Sequence, residues 1–177
     1  MSYIVVDVES DGGIIGKNSM VCFGAVIVDK EGKLDKTFYG KTRPISDNYN
    51  PEALAISGFS REEHLTFDNP SEVMWKFHDW IKENSIGQPL LISDNNGYDA
   101  SWINYYFLDF INVNPFGWSS RRIGDMFCGF FNDGKYQWKK HRNYKFNFIH
   151  NHDPLQDAKS NAAALLYLVD KGFKLKL

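Results

Sequence analysis

The stretch Tyr3-Ile4-Val5-Val6-Asp7-Val8-Glu9 sets two acids inside an apolar run near the start of the chain. Side chains of a β-strand alternate between two faces. Ile4, Val6 and Val8 therefore share one face, while Val5, Asp7 and Glu9 share the other. Neighbouring carboxylates on one strand face repel each other, and removing water from them is costly. Open solvent, a basic partner or a metal ion must offset that cost. With 22 acidic residues in a chain of 177, such a pair arises by chance about as often as not. A solvated strand face is therefore the plain reading of Asp7 and Glu9 taken alone.

The remaining chain supplies a frame for that strand. "SMVCFGAVIVD" (19–29) and "LDKTFYGKTRP" (34–44) read as two more strands on short connections, an antiparallel meander. Asn69, Pro70 and Glu72 form the N-terminal signature of a helix running through "VMWKFHDWIKEN", with Val73, Phe77 and Ile81 on one face. A short strand follows at 89–93. A helix then starts at Asp99, with Trp102, Ile103, Tyr106, Phe107 and Phe110 at helical spacing. Asp153, Pro154 and Gln156 open a last helix filled by "AAALLYLV". A meander followed by strand–helix crossovers predicts an α/β fold, a mixed sheet with helices packed on it. The length suits one domain over 1–177.

Composition narrows the setting. Net charge is −2, so nucleic-acid binding would need a local patch rather than a global basic field. Cys22 and Cys128 are the two cysteines, which excludes a disulfide framework or a zinc site and fits a reducing cytoplasm. No run approaches the ~18–20 apolar residues of a membrane span, so a soluble protein is expected.

Two further acids occupy telling places. Asp99 follows the strand "LLIS" across the loop "DNNGY", at the strand end where open α/β sheets collect ligands. Asp157 lies in the first turn of the last helix, five residues after His152. Each alone reads as a helix-start acid favoured by the dipole. His64, His78 and His141 read as ordinary surface or core residues. Together, Asp7-x-Glu9, Asn95-x-x-x-Asp99 and His152-x-x-x-x-Asp157 resemble the three motifs of the DEDDh exonuclease superfamily. "PEALAISGFSREEH" (51–64), "YDASW" and "QDAKSNAAALL" are similar to family segments as well, so the resemblance covers nearly the whole chain. The sequence departs from the family in "SDGG" after Glu9, which adds Asp11 beside the site, and in Asp94, where a histidine is frequent.

The resemblance implies a ribonuclease H-like mixed sheet and a metal-dependent 3'-5' exonuclease that releases nucleoside 5'-monophosphates from single strands. Two divalent ions ~4 Å apart can stabilise both the attacking and the leaving oxygen of a phosphodiester. Hard ions such as Mg²⁺, with Mn²⁺ able to substitute, favour a carboxylate cage. On this resemblance Asp7 bridges the ions, Glu9 and Asp157 hold one, and Asp99 serves the other. His152 is the general base, since histidine titrates near neutrality; His150 competes, but its spacing to Asp157 does not fit. Asp125 matches a later family acid and is read as structural.

Ser10, Gly12 and Gly13 are candidates to approach the terminal nucleotide, and Phe59 and Trp102 to stack on bases. "KYQWKKHRNYKF" (135–146) carries five lysines or arginines among aromatics, a composition suited to gripping a single strand. RNA is favoured over DNA because the compact length resembles stand-alone exoribonucleases, and the family admits a homodimer. The competing readings are an exodeoxyribonuclease, a catalytically silent nucleic-acid-binding module and an integrase-like transferase that would not need His152.

Overall fold

β1 (Ser2–Ser10) runs through the middle of a five-stranded sheet, bonded antiparallel to β2 (Met20–Val28) and parallel to β4 (Pro89–Ser93). β3 (Thr37–Lys41) adds antiparallel to β2, and β5 (Ser120–Arg122) adds parallel to β4, giving the order β3-β2-β1-β4-β5. The expected meander and mixed sheet are both present. The computed structural model describes residues 1–29, 31–149 and 151–175.

Alternation along β1 divides the interior in two. Ile4, Val6 and Val8 pack with Phe23, Phe77, Trp102 and Phe107 on one face. That face is covered by α3 (Pro70–Asn84) and α4 (Asp99–Ile111). Tyr3 and Val5 pack on the other face with Val26, Ile92, Phe127 and Leu165, under α5 (Ile123–Phe131) and α6 (Pro154–Asp170). Asp7 and Glu9 continue this second face beyond Val5, at the end of β1 nearest the start of α6.

Helix starts follow the sequence with one exchange. Asn69 accepts from the Ser71 amide and Asp153 from the Leu155 and Gln156 amides, as Asn-Pro and Asp-Pro starts should. The reciprocal bonds expected from Glu72 and Gln156 do not form among the described residues. A two-way capping box forms instead at α2 (Arg61–Leu65), between Ser60 and Glu63; it follows the short α1 (Pro51–Ile56).

Gly24 decides where α6 lies. It is paired with Asp7 across the β1–β2 ladder. A Cβ there would stand 2.4 Å from Leu155 Cα and 2.5 Å from the Pro154 carbonyl carbon. The missing side chain lets the first turn of α6, which carries Asp157, rest directly on the strand beside Asp7.

Candidate active site

Three separate elements deliver acids to one centre. β1 supplies Asp7 and Glu9, both partly exposed; the start of α4 supplies the buried Asp99, and the start of α6 supplies the buried Asp157. The parallel pairing of β1 with β4 brings the β4–α4 loop alongside the end of β1. Asp99 Oδ2 accepts from the Asn95 amide at 3.0 Å. The two oxygens of Asp157 accept from the Asn151 amide at 3.3 Å and the His152 amide at 3.1 Å.

The acids act on one another through their charges. Burial, then the charges of Asp99, Asp157 and Glu9, push Asp7 well above the usual carboxylate range, against a partial pull from Arg142. Burial raises Glu9 to about 7, opposed by His152 and reinforced by Asp157. Asp99 is also raised to about 7 by burial, with Asp94 adding to it and the Asn95 amide opposing. Negative charge is thus crowded where water is scarce, an arrangement that favours protons or cations.

His152 sits at the rim with its side chain 55% exposed and Nδ1 3.4 Å from Glu9 Oε1. Its backbone is left-handed (φ 61°), unusual for a residue with a side chain, and the Asp157 carboxylate holds the amide in that turn. Single donor atoms of Glu9, His152 and Asp157 all lie within 4.8 Å of one another. The structure therefore gathers the four acids and the histidine singled out from sequence. His150, the rival base, lies outside the described residues.

The expected substrate contacts fare differently. Trp102 is fully buried in the first core, so it cannot stack on a base; its helical spacing was a core signal. Ser10 is buried, donates to the Gly12 carbonyl and pairs with the Tyr98 hydroxyl, so its side chain is occupied internally. Gly12 leaves room for the Asn18 side chain, whose nearest atom would be 2.4 Å from a Cβ. Phe59 is half-buried, edge-on to Phe67 with Lys41 Nζ 4.9 Å above its ring. Asp11 faces away from the acidic centre, where it is wholly buried and bound to Arg61 at 3.0 Å and the Ser19 amide. Asp125 pairs with Arg122 on the surface.

The 135–146 segment is mostly structural. Tyr136 stacks on Phe131 at 4.4 Å, His141 on Tyr167 at 3.6 Å, and Trp138 is buried in the second core. The aromatics expected to grip a strand pack on the second core instead, Trp138 buried and Tyr136, Tyr144 and Phe146 partly so. Arg142, buried within the same stretch, was missed. It donates to Asp94 Oδ2 and to Asn161 Oδ1, both at 2.9 Å, tying the β4–α4 loop to α6. Lys139 adds a second cation to Asp94 at 2.8 Å. Asp94 in place of the usual histidine was the visible signal; its partners 45 and more residues away were not legible.

A family model described as the 3'-5' exoribonuclease Rv2179c-like domain matches residues 2–169. The chain belongs to this family. The Rv2179c-like assignment makes it a DEDDh 3'-5' exonuclease, in agreement with the motifs and with its relatives. The Escherichia coli 3'-5' DNA exonuclease Cap18 is 32% identical over 180 residues, covering 96% of this chain and 91% of that protein. The nuclease domain of 3'hExo, a DEDDh family member bound to rAMP, shares the fold with TM-score 0.81 at 17% identity, over 99% of this chain and 94% of that one. Escherichia coli ExoI in complex with single-stranded DNA shares it with TM-score 0.74 at 18% identity, over 97% of this chain and 41% of the longer ExoI chain. No helix among the described residues is long and apolar enough to cross a membrane.

Proposed function

We propose that residues 1–177 act as one catalytic domain that hydrolyses single-stranded nucleic acid from its 3' end, releasing nucleoside 5'-monophosphates with two bound divalent cations. The observation that carries this reading is the convergence of Asp7, Glu9, Asp99 and Asp157 on one centre, with three of their carboxyls displaced upward by burial and mutual repulsion. An all-oxygen set of this kind fits Mg²⁺ or Mn²⁺. The four acids, Asp7, Glu9, Asp99 and Asp157, would hold the ions. Bound there, the ions supply stabilisation to charge developing on the phosphate and the leaving oxygen.

The chain's own groups do the rest. His152 takes the proton from the attacking water, with Glu9 beside Nδ1 to orient the ring. Asp157 holds the backbone of the histidine loop in place. RNA is the first reading of the substrate, supported by the family description over 2–169. DNA is the second, supported by the 32% identity to a DNA exonuclease. The two free thiols, Cys22 and Cys128, suit the reducing cytoplasm. Sedimentation at assay concentration tests the expected homodimer.

Matched 5'-labelled RNA and DNA, single-stranded and duplex, with free or blocked 3' ends, decide the function in Mg²⁺, Mn²⁺ and chelator. The expected result is a metal-dependent ladder shortening from free single-stranded 3' ends, lost in Asp7→Asn. Absence of product under every metal and strand, or full activity in His152→Ala, overturns the corresponding part.

A further inference from the structure

Ser10 ends β1 next to Glu9, and Tyr98 immediately precedes Asp99, so the two residues are chain neighbours of site acids on different elements. Their hydroxyl oxygens are 2.6 Å apart. That distance does not say which one donates, but a proton count does. Ser10 Oγ also lies 2.5 Å from the Gly12 carbonyl oxygen, which can only accept. Two oxygens so close repel unless a proton lies between them, so the single serine proton goes to Gly12. The Gly12 amide approaches the same Oγ at 3.4 Å. Tyr98 must therefore donate to Ser10.

This leaves the Tyr98 oxygen as an acceptor only, with no further hydrogen bond to it among the described residues. The charges of Glu9, Asp99 and Asp7 all act on the phenol, which places the group in the field of the centre. Whatever meets this oxygen has to bring a proton. Phosphate oxygens do not. In a nucleotide whose phosphate sits at the acids, the sugar hydroxyls are the nearest donors, and the base amino groups lie farther out.

We propose that Tyr98 is a specificity-determining residue whose phenol oxygen accepts a hydrogen bond from a sugar hydroxyl of the 3'-terminal nucleotide. The inference rests on the exonuclease reading above and adds what the site senses at the chain end.

The test uses three oligonucleotides identical except for the last residue: ribo-, 2'-deoxy- or 3'-deoxy-terminated. Their kcat/KM values are compared in the wild type, Tyr98→Phe and Ser10→Ala. In the wild type, removing the hydroxyl that Tyr98 senses lowers kcat/KM, and the affected arm identifies it as 2' or 3'. In Tyr98→Phe that preference shrinks by roughly threefold to tenfold, the factor one neutral hydrogen bond carries. Ser10→Ala breaks the same Ser10–Tyr98 contact from the other side yet keeps the phenol oxygen, so the preference survives there. A wild type indifferent to all three ends overturns the inference. So does a preference unchanged in Tyr98→Phe, or one lost equally in Ser10→Ala. A wild type that cleaves none of the three removes the exonuclease reading itself.

Discussion

Asp7 is the residue on which the other three acids act, and its charge is balanced in part by Arg142. Replacing it by asparagine removes one charge from a crowded cluster. Asp7→Asn should raise the melting temperature of the chelated protein at pH 8 while cutting hydrolysis on the order of a hundredfold or more. Thermal melts in EDTA and initial rates in Mg²⁺ check the two halves, which move in opposite directions. Acids of this kind are legible in a sequence because a carboxylate inside an apolar strand is conspicuous. Asp11 was not legible as a buried anchor, since its partner Arg61 is 50 residues away and nothing local marks the pairing. Trp102 was misassigned because one residue satisfied two patterns, the apolar stripe of a helix and an aromatic next to a motif acid. The stripe prevailed, as burying a large indole is worth more than leaving it at a rim.

Elements are held at the site by two contacts, one of packing and one of charge. Gly24 lets α6 lie on β2, so Gly24→Ala should lower stability by about 1–3 kcal/mol through forced displacement of the helix start. Because that turn carries Asp157, the same variant should also bind Mn²⁺ more weakly, measured by calorimetry beside urea unfolding. Arg142 is the second contact. Arg142→Met leaves Asn161 Oδ1 without its donor and Asp94 with Lys139 alone, and should cost about 3 kcal/mol in urea unfolding. Strands, long helices and their Asn-Pro and Asp-Pro starts were legible because they depend on nearest neighbours. The role of 135–146 was not, because a run of lysines and aromatics looks alike whether its rings face a strand of nucleic acid or the underside of α5 and α6. Only the rest of the fold supplies the rings they stack on.

For the molecule as a whole, the site carboxyls make stability depend on pH. Glu9 and Asp99 rise to about 7 on folding and Asp7 rises well above its usual range, so the folded chain binds more protons than the unfolded one above about pH 4. Their contribution is fully present below the unfolded carboxylate range and is lost as pH climbs through about 7. His64 works the other way: buried and lowered to about 4, it weakens the fold as pH falls from 6.5 toward 4, one imidazole against three carboxyls. In chelator the melting temperature should therefore fall between about pH 5 and 8. Mn²⁺ or Mg²⁺, which replaces the lost protons, should raise it more at pH 8 than at pH 5. Scanning calorimetry at the two pH values, with and without metal, checks the sign.

Both oxygens of Asp157 already hold the peptide hydrogens of Asn151 and His152. Under the proposed mechanism one carboxylate would serve as cage wall and as hinge pin, two duties that could not be dissected by altering it. On that proposal, a change at position 157 that spoils cation capture would also release the turn bearing the imidazole, so the proposed proton acceptor and the ion would drop out of the reaction as a pair.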